Sequence, residues 1–419
     1  MRTTLLLVAV VLVGCGGGTG GTGGGSATGG GSATGGGTAT GGGSATGGGS
    51  ATGGGSATGG GSATGGGSAT GGGTGTGGGN TDGGTGGGSA TGGGSGTGGG
   101  GVSYDGGTAI SADAGVWTFV QFPDTECGNG SPAAIGVNLV PNATTLAVYF
   151  EGGGACWSQL TCYQIMAAVN INNDYTETIF DNDLATANAA GFFDRDAGTP
   201  FANADWVLVP YCTGDVHSGT TNQMYSAGVT THHKGGTNVD AFLRRLLPTV
   251  PNATQIWLTG SSAGGYGATL NIERFSAAFP NAHIDVLADS GPFVSDPLWA
   301  TLSAAWNPVL PSCAPTCNDF PAFLTSLQSE HPATRWGLLS YDHDNVISTF
   351  FQISTATFNT ELLALIASNY GTANSKTFVI PGTSHVLLDG YLTTQGQNES
   401  LKTFVDDWAT NSANWASDP

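Results

Sequence analysis

From residue 102 onward, short apolar runs alternate with longer stretches in which apolar residues recur every three or four positions. The runs at 116–122, 135–139, 146–150, 206–209, 256–259, 284–288, 336–340 and 377–380 predict strands. The periodic stretches at 159–169, 239–247, 266–279, 320–329, 361–370 and 399–408 predict helices. Several of the strands are apolar throughout, as expected where helices cover both faces of a sheet. Strand and helix in alternation predict an α/β fold with a mostly parallel sheet, whose ligands sit at the carboxyl ends of the strands.

The pattern is interrupted in one way that points to chemistry. Gly260-Ser261-Ser262-Ala263-Gly264 lies between the strand 256–259 and the helix 266–279. Strand, G-x-S-x-G and helix in that order make a sharp turn that exposes one serine oxygen, and the glycines leave room for its strained backbone. The same pentapeptide in a loop, without its neighbours, would mean little. Ser262 is therefore the candidate nucleophile.

A serine nucleophile needs a base, and the base needs a carboxylate to orient it, in the chain order Ser, acid, His. Of the histidines after Ser262, His283 begins a strand and His331 precedes Pro332 in a loop, so both read as structural. His385 follows the last predicted strand, where a base can reach the carboxyl ends, although a glycine-rich surface loop would also hold a histidine. The acid should follow the strand 336–340, where Tyr341-Asp342-His343-Asp344 offers two carboxylates that position does not separate, with His343 between them as a decoy. Oxyanion donors are expected from Ala263 and from Glu151-Gly152-Gly153-Gly154, a glycine run after a buried strand.

These segments resemble the pectin acetylesterase family, which includes the animal Notum carboxylesterases. The resemblance rests on Glu151-Gly152-Gly153-Gly154-Ala155-Cys156, the serine turn with Gly265, the stretch from Pro210 to Gly219 and Cys127-Gly128-Asn129-Gly130-Ser131-Pro132. It implies an α/β-hydrolase fold and a serine esterase acting without cofactor or metal. It carries the nucleophile onto Ser262, the base onto His385, and the oxyanion donors onto Gly153, Gly154 and Ala263. The family's Asp-x-x-Gln-apolar pattern fits Asp342-His343-Asp344-Asn345-Val346 and so implies Asp342 as the acid, with Asn345 in place of Gln. Ala155 stands where plant members have Trp, a difference that bears on acyl or sugar specificity. Trp157, Tyr266 and Phe293 are candidates for the acyl pocket.

Composition adds a location. Arg2, a short apolar core and Leu12-Val13-Gly14-Cys15 form a lipoprotein-type export signal over residues 1–14, with Cys15 the lipidated residue. This predicts an outer-membrane or cell-surface protein. Residues 15–101 are nearly all Gly, Ser, Ala and Thr in a six-residue repeat with a single charge, Asp82. With no apolar face to bury, this stretch is expected to be a flexible tether of roughly 50 Å. The folded domain is then 102–419.

Six cysteines remain after Cys15. In an oxidising compartment they predict three disulfides: Cys156–Cys162 and Cys313–Cys317 by close spacing, and Cys127–Cys212 by remainder, out of fifteen possible connectivities. Setting aside Arg2 and Asp82 leaves 8 basic against 28 acidic residues, a net charge of −20. Such a surface repels nucleic acid and de-esterified pectin alike. Within what the resemblance implies, an acetyl group on a neutral polysaccharide, or a small ester, is therefore the expected substrate, and a monomer the expected state. Two other readings compete: a glycan-binding protein on a hydrolase-like scaffold, and a metal site of Asp215, His217, His232 and His233. Neighbouring His232 and His233 would point to opposite faces of a strand, which argues against the metal.

Overall fold

A computed structural model describes Tyr104 and residues 107–419, apart from 190, 196–197, 227, 296–297 and 309–319, together with nine short strands between Ser26 and Thr76. The chain divides into two units, Met1–Gly100 and Gly101–Pro419. The export signal, Cys15, Cys313 and Cys317 lie outside the described residues. In the first unit the repeat differs from the coil expected of it. Its triplets, Ser26–Thr28 to Thr74–Thr76, are three-residue strands, each paired in parallel with the triplet twelve residues on, in sheets of five and four strands. A backbone ladder needs no apolar side chain, and β-branched threonine is compatible with it.

The second unit contains the sheet expected from the apolar runs. In chain order its strands are β1 (Thr118–Phe122), β2 (Ala133–Asn138), β3 (Thr145–Phe150), β4 (Asp205–Val209), β5 (Thr221–Ser226), β6 (Val229–His233), β7 (Gln255–Ser261), β8 (His283–Asp289), β9 (Trp336–Tyr341) and β10 (Ser375–Ile380). Eight of these form one sheet in the order β1-β2-β4-β3-β7-β8-β9-β10, while β5 and β6 form a separate hairpin. β2 runs antiparallel to both β1 and β4, and every other pairing in the large sheet is parallel. β4 and β7 are buried along nearly their whole length, consistent with helices on both faces.

The helices are α1 (Glu177–Ala189), α2 (Gly235–Thr249), α3 (Ala263–Leu270), α4 (Ile272–Ala278), α5 (Trp299–Trp306), α6 (Phe320–Glu330), α7 (Asn345–Phe350), α8 (Thr355–Asn369) and α9 (Leu401–Ala409). Two expectations change. The helix predicted over 266–279 is two helices broken at Asn271, whose side chain donates to the carbonyls of Gly267 and His217. The helix predicted over 159–169 is only a single turn, Leu160–Gln164, and the chain leaves helical space at Met166, whose φ is 47°. The Cys127–Cys212 disulfide is also formed, tying the loop before β2 to the end of β4.

Candidate active site

The site is built where β3, β7 and β8 end. Ser262 follows β7 with φ 57° and ψ −121°, a conformation rare for a residue bearing a side chain. Its N–H donates to Asp289 O at 2.8 Å, which clamps the turn to the end of β8. Both flanking glycines are sterically required: a Cβ on Gly260 would lie 2.4 Å from Phe150 O, and one on Gly264 would lie 1.9 Å from it. The glycine run passes directly over the serine, since a Cβ on Gly152 would come within 3.1 Å of Ser262 Cβ. Gly153 (φ 143°) and Gly154 (φ 80°) turn through backbone space that L side chains avoid. Below the run, buried His217 donates from Nε2 to Glu151 O at 2.8 Å.

His385 stands in the loop after β10, where the sequence places it. Its Nδ1 lies 2.6 Å from Asp344 Oδ2, and its buried Nε2 bonds to no described residue. Here the structure corrects the expected acid: the carboxylate on His385 is Asp344, not Asp342. Asp344 is fully buried at the N-terminus of α7, where Oδ1 accepts from the N–H groups of Val346 and Ile347 at 2.8 and 3.0 Å. One oxygen is thus held by the helix end while the other meets the imidazole. Asp342 is partly exposed, accepts from Gly382 N–H at 2.8 Å and pairs with His343 Nδ1 at 2.9 Å. The family pattern misleads because a two-residue shift decides which carboxylate caps the helix.

Sequence reasoning missed Asp289 and Ser290. Buried Asp289 accepts from the N–H groups of Leu387 and Leu388 and from Ser261 Oγ, all at 2.9 Å by its shorter contacts. Ser290 Oγ accepts from Val386 N–H at 2.9 Å. The main chain of Asp289 therefore holds the serine while its side chain holds the segment that follows His385. Burial pushes the Asp289 carboxyl up from its ordinary value, and these donors pull it back. The only sequence signal was a polar pair ending an apolar strand.

Burial, reinforced by Asp183, raises the Glu151 carboxyl to about 8. Burial lowers His217 to about 4, so its ring is neutral at pH 7. The residues of the metal reading are engaged elsewhere. Asp215 binds Thr213 Oγ1 and the N–H groups of Gly219 and Gly235, His232 pairs with Glu126, and His233 bonds to Thr213 O and Tyr225 Oη. Cys156, Cys162 and His233 come close together, but the two cysteines are bonded to each other.

Ser262, Ala263 and Gly154 open onto a cavity of about 500 Å³ of empty space including its mouth, walled by apolar side chains such as Leu302, Trp306, Phe320 and Phe350. Trp157 and Tyr266 line it; Phe293 does not, and packs behind Tyr266 with ring centres 5.2 Å apart. A sequence model described as "Pectinacetylesterase" matches residues 113–312, a span containing the glycine run, both disulfides seen here and Ser262. Over that span, just under half of its length, the chain is similar to the pectinacetylesterase family.

Curated proteins similar to this chain carry the Notum name. The chain is 27% identical over 179 residues to "Palmitoleoyl-protein carboxylesterase NOTUM" of Mus musculus, covering 41% of this chain and 34% of that protein. It is 24% identical over 195 residues to the Drosophila melanogaster protein of that name, covering 43% of this chain and 28% of the relative. It also matches "Inactive palmitoleoyl-protein carboxylesterase notum1b" of Danio rerio at 27% over 115 residues, 27% of this chain and 76% of that protein. The chain thus spans about a third of the length of the mouse relative.

Proposed function

We propose that the protein hydrolyses carboxylic esters through Ser262, His385 and Asp344. The observation that carries this reading is the Asp344–His385 pair, delivered to the same end of the sheet as a strained serine turn. Ser262 Oγ attacks the ester carbonyl as His385 Nε2 takes its proton. The alkoxide that forms on the carbonyl oxygen is stabilised by N–H groups of Gly153, Gly154 and Ala263. The alcohol leaves with the proton from His385, and water then releases the acyl group by the same base. Asp344 keeps Nδ1 protonated and the ring oriented. Secretion, with a lipid anchor at Cys15, belongs to the same proposal and is supported by the lipobox alone.

On the acyl side the apolar cavity favours a chain longer than acetyl. The expected acetyl ester of a neutral polysaccharide is the second reading, favoured by the family description and by the net charge of −20. Hydrolysis of p-nitrophenyl acetate, butyrate and octanoate tests the first and ranks the two, with Ser262→Ala as control. We expect turnover to rise from acetate toward the longer esters and to vanish in the variant. Preference for acetate, with release from acetylated xylan, would move the assignment to the glycan. Preference for acetylated polygalacturonate would contradict the charge argument. A folded chain inactive on every ester would instead favour a binding protein.

A further inference from the structure

The outer wall of the site carries a second pattern. Ten large apolar residues are exposed among the described residues, and six of them fall on two short segments: Leu160, Ile165, Met166, Val169, Met224 and Val229. Their exposure runs from 41% at Val229 to 67% at Met224. Four lie in the stretch 160–169 that follows the glycine run and is anchored at its start by the Cys156–Cys162 disulfide, and two in the β5–β6 hairpin. The segments are joined to each other by the Tyr163 and Thr231 hydroxyls. Both are also joined to α5: Trp306 Nε1 donates to Cys156 O at 2.8 Å, and Gln223 Nε2 donates to Ala305 O at 3.0 Å.

Those anchors place the pattern beside the cavity, because Trp306 and Leu302 of α5 form its wall. The loop also closes onto the oxyanion glycines, with Val169 N–H donating to Gly153 O at 2.9 Å. Met166 is held at φ 47°, so the turn presenting it is maintained against its own backbone preference. Within a unit of net charge −20, residues 152–173, 220–231 and 298–308 contain no Asp, Glu, Lys or Arg. An uncharged apolar surface next to an apolar acyl cavity is matched by a surface that is itself uncharged and apolar.

We propose that these two segments form a collar that docks on the surface of a neutral lipid aggregate, so that ester substrate enters from an interface and not from water. This rests on the acyl-ester reading above. The lipid surface receives the collar side chains, and the ester passes directly into the cavity they surround.

The test uses the full chain carrying Cys15→Ser, which removes any lipid anchor, with and without Ile165→Ser/Met166→Ser. Sedimentation with phosphatidylcholine vesicles, with Ser262→Ala added, reads docking without turnover. We expect binding that survives about 0.5 M NaCl and falls about ten-fold in the double variant. Hydrolysis of dissolved p-nitrophenyl butyrate should be the same for both chains, which establishes that the variant is folded. Hydrolysis of tributyrin should rise steeply once it exceeds its solubility, in the unaltered collar only. A chain active on the dissolved ester that ignores vesicles, or whose binding is lost in salt or retained by the double variant, overturns the collar and leaves the esterase reading intact. Inactivity on every ester would overturn the esterase reading, while the vesicle measurement still decides the collar. Retention by a neutral glycan without vesicle binding would also overturn it.

Discussion

At the scale of single residues, the site turns on which carboxylate has no other use. Asp342 has two partners of its own near the surface, whereas Asp344 is buried with one oxygen on a helix end and the other on His385. Asp344→Asn should lower kcat by about 10⁴, as expected when the base is held in the wrong tautomer. Asp342→Asn should leave kcat within about three-fold, since its side chain pairs with His343 and Gly382 N–H and not with His385 or Ser262. Steady-state kinetics on one soluble ester separate the two. Glu151 supplies a pH signature. Folding raises its pKa from 4.5 to about 8, so in this interval the folded chain keeps a proton that the unfolded chain releases. Its contribution therefore falls as pH rises through that window. His217, lowered from 6.5 to about 4, acts in the opposite sense only below 6.5. Between pH 6.5 and 8, Glu151→Gln should flatten the decline in Tm, measured by thermal melts across that range.

At the scale of elements, the large sheet was legible and its embellishments were not. All eight of its strands arise from apolar runs, and those buried on both faces, such as β2, β4 and β7, have to be largely apolar along their length. The α1 and α5 helices and the β5–β6 hairpin escaped notice. Their sequences, ETIFDNDLATANA, WATLSAAW and TNQMYS with VTTHH, mix small and polar residues with few large apolar ones, so no period stands out in the chain. The site loops depend on connections between elements. The Cys127–Cys212 bridge spans 85 residues, and by chain entropy its closure is worth about 4–5 kcal/mol, against about 2 kcal/mol for the six-residue Cys156–Cys162 loop. Denaturant melts of Cys127→Ser/Cys212→Ser should show the larger loss of stability. Cys156→Ser/Cys162→Ser should lose more in kcat than in stability, because its loop buttresses Gly153 and Gly154, the proposed oxyanion donors.

At the scale of the whole molecule, the two units are built on different principles. The unit from Gly101 has a continuous apolar core, from Phe122 near its first strand to Trp408 in its last helix. The Gly-Ser-Ala-Thr repeat has none to offer, and its strands are backbone ladders. Removing residues 16–100 should therefore leave kcat/KM on a soluble ester within about two-fold and the main thermal transition in place. A loss of folding in that chain would show that the core is incomplete without the repeat. Among the described residues no helix is long and apolar enough to cross a membrane.

The sequence by itself determined the parts whose signal is local. The apolar runs decided the sheet, the glycines around Ser262 decided the turn, and the chain order placed His385 after the last strand. Each of these follows from chain geometry within a few residues. The tertiary structure alone decided that Asp344 faces His385, that Asp289 ties Ser262 to the segment after His385, and that the cavity beside Ser262 is apolar. Those outcomes depend on which side chains lose contact with water when distant segments pack. Two carboxylates separated by one residue are alike in a sequence, and they become different only when one of them is buried against a helix end.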